Sequence, residues 1–332
     1  LAGVLFAVAF LFKIPVIFDL AGIGLFLFLI NAPTVKDKLR LVTSPALWGL
    51  IAGFLIPIFA SIGYYALKGA FVPYVTSALL QNIGYLSSWG GVGESSQPLW
   101  QNGLFQRGMI VAGLTLGLYF LRRRLSQATL FAGFWFVFSL YGTLLSSRPY
   151  PHYLLEPIVP ATLLVGLIFK EKLVGKGAIL FVMACLPLAI WQYRFWYYKS
   201  LPYYQNFWEF ALGKKDQSAY FGFFAGVNRN YRIARYVVSH TMPQEKIFVW
   251  GTQPTIYALS QRLPAGRYTV SYHIADFHAW EETMAVLKAN PPSLIVFFTN
   301  EEKPFPQLEA FLAQRYTPAQ VFEEAIVYQK LF

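Results

Sequence analysis

SPALWGLIAGFLIPIFASIGYYAL, residues 44–67, runs from Ser44 to Leu67 without one charged side chain. About 20 apolar residues cross the hydrocarbon core of a bilayer, with a range of ~17–25. The stretch is therefore long enough to span with some tilt. Further apolar runs fall at about 1–12, 15–30, 107–121, 127–146, 157–169 and 177–193. The last but one is short, and it lengthens if Tyr153 to Glu156 begin its helix. The composition agrees: of 332 residues, 56% are hydrophobic, 18% aromatic and 13% charged, and mean hydropathy is +0.45. Soluble domains carry about a quarter charged residues. A soluble enzyme, a disordered chain and a coiled coil are excluded on that ground.

The pattern changes near residue 193. Before it lie 13 Lys/Arg and 5 Asp/Glu, and after it 14 and 11. The expected fold is an α-helical multi-pass membrane bundle over residues 1–193, followed by a small α/β soluble domain over 194–332. Residues 1–30 admit one long helix, or a tight hairpin broken at Lys13-Ile14-Pro15. The hairpin is preferred, because proline disfavours helix at the residue before it and a mid-bilayer lysine is expensive.

The loops between runs set the sidedness. Lys36, Lys38 and Arg40 share one side with Arg122, Arg123 and Arg124 and with Lys170, Lys172 and Lys176. The positive-inside rule makes that side cytoplasmic. Residues 68–106, 147–156 and everything after 193 then face the periplasm or lumen. Much of the net charge of +11 is thereby explained without nucleic acid. In the long outer loop, about 71–86 reads as an interfacial helix, and Gly90, Gly91 and Gly93 as a bend. The single cysteine, Cys185, excludes an intrachain disulfide and a Cys-based metal site.

Residues 194–205 read as an aromatic interface belt. Beyond them, strands are expected at 246–250 and 268–274, and a continuous apolar strand at 293–298. One or two edge strands are expected within 319–330. Helices are expected at about 253–261, 276–290 (with Asp276 as N-cap) and 305–315. The domain lacks GxGxxG, P-loop and Gly-x-Ser-x-Gly motifs. Trp250 to Pro254 close a strand where α/β sheets often bind ligands, though a plain strand-to-helix turn is the simpler reading. Tyr272, His273 and His278 lack a third metal ligand.

Chemistry concentrates in the short outer loop. Arg148, His152 and Glu156 recur every four residues, which places them on one face if the stretch is helical. Pro149, Pro151 and Pro157 oppose a regular helix. Arginine grips phosphate in bidentate fashion, and histidine can donate to a phosphate oxygen. In the hairpin reading Lys13 reaches the same outer face. Lys13, Arg148 and His152 together would suit a lipid-linked phosphate. Snorkelling cations on an interfacial loop are the plainer alternative.

Ser147 to Pro160 (SRPYPHYLLEPIVP) resembles the loop-and-helix signature of bacterial GT-C glycosyltransferases of the dolichyl-phosphate-mannose protein mannosyltransferase type, family 39, with its aminoarabinose-transferase relatives. The opening through Phe12-Lys13-Ile14-Pro15 looks like that group's first hairpin. Lys246 to Pro254, Ile256 to Ser260 and Arg267-Tyr268 resemble α/β domains appended to many such proteins.

The resemblance implies a multi-pass protein of the bacterial inner membrane. A sugar would move from a polyprenyl-phosphate-linked donor to a hydroxyl of a glycan, lipid or protein acceptor, with inversion, at the outer face. It implies phosphate contacts from Lys13, Arg148 and His152, and a groove lined by Tyr150, Tyr153 and Glu156. Glu156 would orient the loop or His152 rather than act as base. No metal or further cofactor is assigned. The family's catalytic acidic pair belongs to a first outer loop that these residues lack, and Asp19 is expected inside a span. The base is therefore expected upstream of Leu1, on the reading that the chain is an N-terminally truncated fragment, inactive alone. A transporter of lipid-linked sugar, and a membrane-anchored sensing or scaffold protein working through its α/β domain, are the alternatives.

Overall fold

The computed structural model describes residues 1–81, 100, 102–145, 150–195 and 199–331. The chain divides into two compact units, Leu1–Tyr198 and Lys199–Phe332. The first is helical. The second mixes helices with one small sheet.

In the first unit, α1 (Ala2–Phe12) stops at Lys13, whose backbone is extended (φ −154°, ψ 106°), and Pro15 caps α2 (Val16–Phe26). The helix thus breaks where proline removes a donor and restricts its neighbour. A π-turn, Leu27–Asn31, carries α2 on, and the short α3 (Val35–Val42) follows behind a Thr34–Asp37 capping box. Next comes α4 (Pro45–Leu67), capped by Ser44, whose Oγ accepts from the Leu47 N–H at 3.2 Å. No residue of α4 is buried. Such a bare apolar cylinder is what a lipid solvent accommodates and water does not. Gly3 lets α1 lie against it, since a Cβ there would stand 2.1 Å from the Leu50 carbonyl oxygen.

A single-turn helix, α5 (Phe71–Tyr74), leads into a π-turn, Val75–Leu80. Only the first part of the interfacial helix expected at 71–86 is described, and the glycine bend lies outside the described residues. Then come α6 (Gly103–Phe120), α7 (Gln127–Thr143), α8 (Ile158–Ile168) and α9 (Leu173–Gln192). The core forms around α7, where Phe134 and Phe136 are fully buried. Against it lies α2, with Phe18 edge-on to Tyr141 and Phe26 edge-on to Phe131.

Among the described residues, three helices are long and apolar enough to cross a membrane: Pro45–Leu67, Gly103–Arg123 and Leu173–Gln192. The seven runs expected as spans are thus unequal. Both α1 and α8 have 11 residues, about 16 Å of helix against a ~30 Å core.

In the second unit, α10 (Ser200–Ala211), α11 (Gln217–Gly222) and α12 (Val227–His240) precede the sheet. The sheet has the order β1-β2-β4-β3. β1 (Phe248–Trp250) runs parallel to β2 (Leu294–Phe298), which pairs antiparallel with β4 (Ala325–Lys330), itself antiparallel to β3 (Tyr316–Phe322). Between β1 and β2 lie α13 (Thr255–Ser260), α14 (Ser271–Asp276) and α15 (Trp280–Ala289), and α16 (Pro306–Arg315) follows β2. Phe248, Trp250 and Ile295 pack with Met284, Leu308 and Phe311. Ile247, Val249 and Val296 pack with Ile233, Val237 and Ile256. The sheet is covered on both faces, as its continuous apolar strands required.

Two expectations need correction. Residues 268–274 do not form a strand; the chain turns helical at Ser271 because Val270 and Ile274, four apart, both point inward. Asp276 ends α14 instead of capping the next helix, which starts at Trp280. Of the one or two edge strands expected within 319–330, β3 is one, with Pro318 beside a register shift, where a missing donor is tolerated, and β1 forms the other edge of the sheet. Buried Ala325 and Val327 draw β4 inside.

Candidate functional site

The break at Lys13 is the start of the site. Its Nζ donates to Glu156 Oε2 at 2.8 Å and lies 4.9 Å from the centre of the Tyr153 ring. The Lys13 side chain is 35% exposed and that of Glu156 only 5%. An ammonium carries three donors, and Glu156 is the one side-chain acceptor of Nζ among the described residues. Lys13 therefore offers charge and donors from the open side of the pair.

Glu156 follows a 3₁₀ turn, Pro151–Leu155, that the surrounding prolines impose in place of an α-helix. The four-residue spacing of Arg148, His152 and Glu156 thus does not become a helical face. Arg148 lies outside the described residues. Thr143 Oγ1 donates to the Tyr153 carbonyl at 3.1 Å and ties the turn to the end of α7. The turn gathers three rings. Tyr150 and His152 stack at 5.5 Å, His152 meets Tyr153 edge-on at 4.6 Å, and Tyr150 meets Tyr153 edge-on at 5.6 Å.

The floor is Gly142 on α7. A Cβ there would stand 3.0 Å from Glu156 Oε1 and 3.3 Å from the Pro15 carbonyl oxygen. Glycine lets the carboxylate and the α1–α2 break close on α7 together. Oε1 is buried and has no hydrogen-bond partner among the described residues. Burial pushes the Glu156 carboxyl above its ordinary value, and Lys13 pulls it back only in part.

Lys13, Glu156, Tyr150, His152 and Tyr153 thus come together. The sequence reading missed that Lys13 and Glu156 form an ion pair. It placed Asp19 inside a span without joining it to the site; Asp19 is 7% exposed, accepts from Trp135 Nε1 at 2.7 Å, and interacts electrostatically with both Glu156 and Lys13. An acid inside an apolar run was the available signal. A second missed charge is Arg107, 5% exposed, which donates to Tyr193 Oη at 3.0 Å and to the Leu144 carbonyl at 2.6 Å. It borders an apolar cavity of about 230 Å³ lined by Leu114, Phe136, Leu140 and Ala189.

Among the described residues no group of three His, Cys, Asp or Glu could hold a metal ion. Thr252 and Gln253, after β1, border a polar cavity of about 260 Å³ in the second unit. The chain matches no family model, no curated protein and no solved structure.

Proposed function

We propose that the chain is a multi-pass membrane glycosyltransferase that takes a sugar from a polyprenyl-phosphate-linked donor and passes it to a hydroxyl acceptor at the outer face of the membrane. The observation that carries this reading is the Lys13–Glu156 pair, half open, set against the Tyr153 ring, which in turn meets those of Tyr150 and His152. It is the chemistry of a phosphate seat beside an aromatic groove.

In this reading Lys13 meets the phosphate of the donor. Charge grows on that phosphate as the anomeric bond breaks, and a fixed cation stabilises it. Glu156 is a positioning residue: it aims Lys13 and, with its raised carboxyl, can take up a proton as the phosphate draws on the lysine charge. Its Oε1 is enclosed against Gly142, so an acceptor hydroxyl has no path to it as a base. His152 and Arg148 supply further donors to the phosphate. The apolar cavity beside Arg107 has the lining that a lipid chain prefers. Long apolar helices and basic loops on one side support a bacterial inner-membrane protein with its α/β unit outside. A second reading, a membrane-anchored sensing protein, is favoured by the polar cavity beside Thr252 and Gln253.

The test is transfer of labelled sugar from a panel of polyprenyl-phosphate sugars by membranes containing the full-length protein, with Arg148→Ala and His152→Ala at matched expression. Transfer by wild type and slower transfer by both variants supports the reading. Transfer that both variants match overturns the residue roles. No transfer from any donor overturns the function and favours the sensing protein.

A further inference from the structure

The α/β unit holds a constellation that transfer chemistry leaves unused. Its two parallel strands end side by side on the cavity of about 260 Å³. In open α/β sheets ligands bind outside such carboxyl ends. β1 stops at Gly251, where φ is +152° and a Cβ would meet the Phe298 ring at 2.7 Å. Only glycine lets the chain turn there and bring Thr252 and Gln253 to the rim. β2 runs on into Asn300 and Glu301.

The opposite wall comes from the first turn of α12. Arg229 is 5% exposed, sits 4.8 Å from the centre of the Phe298 ring, and is ion-paired to Glu324. Its Nε donates to Asn230 Oδ1 at 3.3 Å, and Asn230 Nδ2 donates in turn to Gln253 Oε1 at 2.7 Å. Across the cavity Glu301 accepts from Ser271 Oγ at 2.5 Å. Arg229, Gln253, Glu301 and Glu324 are each held by a neighbour before any ligand arrives. That is preorganisation, which lowers the ordering cost of binding.

The charges select the ligand class. One guanidinium faces two carboxylates, so the lining carries a net negative charge and repels phosphates and carboxylates. Amide, hydroxyl, guanidinium and carboxylate groups alternate round the wall, so donors and acceptors are both at hand. The volume falls just below the ~300–1,000 Å³ of sites for drug-sized ligands.

We propose that this cavity binds a neutral, polyhydroxylated ligand of about one sugar ring. Each ring hydroxyl can donate to Glu301 or Glu324 while accepting from an amide or from Arg229. The proposal does not depend on the membrane unit being a transferase.

To test it, the intact chain in nanodiscs prepared without glycoside detergent is titrated with glucose, galactose, mannose, arabinose and N-acetylglucosamine. Saturation-transfer NMR reads binding, with inorganic phosphate and ethanolamine alongside. Glu301→Gln removes an acceptor. Asn300→Ala, at an exposed position, tests the rim with little risk to the fold. The expected result is saturable binding of at least one sugar, weakened about tenfold or more in both variants at unchanged melting temperature. The proposal is overturned if no sugar binds, if the variants bind as wild type does, or if phosphate or ethanolamine binds in the sugar's place.

Discussion

Glu156 spends one oxygen on Lys13 and keeps the other buried without a partner among the described residues. Its folded-state value is raised, so the folded chain holds a proton there more readily than the unfolded one. The stability this group contributes is present below the ordinary carboxylate range and is lost as pH rises through the raised value. Glu156→Gln cannot titrate. Its stability relative to wild type should therefore improve between about pH 4 and about pH 8, measured by thermal unfolding in nanodiscs. A difference that stays flat or falls would contradict the buried, poorly satisfied carboxylate. Gly142→Ala tests the same contact from below. The new methyl would meet Oε1 at 3.0 Å and the Pro15 carbonyl at 3.3 Å, and neither has much room to retreat. We expect a loss of about 1–3 kcal/mol in unfolding, with slower sugar transfer. The sequence showed Lys13 and Glu156 as separate features of one outer face. It could not show them paired across 143 positions, because the pairing depends on a glycine of a third segment that carries no chemistry of its own.

At the scale of elements, α7 is held at its start by another loop. Glu171, between α8 and α9, accepts from the Ser126 N–H at 3.0 Å and from Thr129 Oγ1 at 2.5 Å. Partial burial disfavours its charge, but these donors outweigh that and hold the carboxyl below its usual range. Glu171→Ala should cost about 1 kcal/mol, seen as a lower melting temperature that Glu171→Gln partly restores. Equal loss in both variants would mean that the charge matters and the cap does not. Element types were legible where period and punctuation agreed. Pro15 marked the α1–α2 break, and Ser293 to Phe298 read as a doubly buried strand. They were not legible where short segments carried both signals. Tyr268 to Ile274 alternates like a strand, but Val270 and Ile274 also have helical spacing, and burial decided for the helix. α12 escaped notice because its three arginines, Arg229, Arg232 and Arg235, mask an apolar stripe of Ile233, Ala234 and Val237.

For the whole molecule, the change in charge density near residue 193 was visible in composition, and the chain divides between residues 198 and 199. Span lengths were not visible, since apolar composition does not say whether a run is one helix or two half-helices. Sidedness can be tested directly because Cys185 is the only cysteine. In a Cys185→Ser background, Lys214→Cys should react with an impermeant maleimide on intact spheroplasts, and Lys36→Cys only after lysis. The reverse pattern would invert the proposed topology and remove the site from the outer face. The central claim is that Lys13 serves the phosphate of a lipid-linked sugar, and the kinetics of Lys13→Met test it most directly. We predict that kcat/KM for transfer from the polyprenyl-phosphate donor falls by about a hundredfold or more, at matched expression and melting temperature. Transfer by Lys13→Met at the wild-type rate would contradict it.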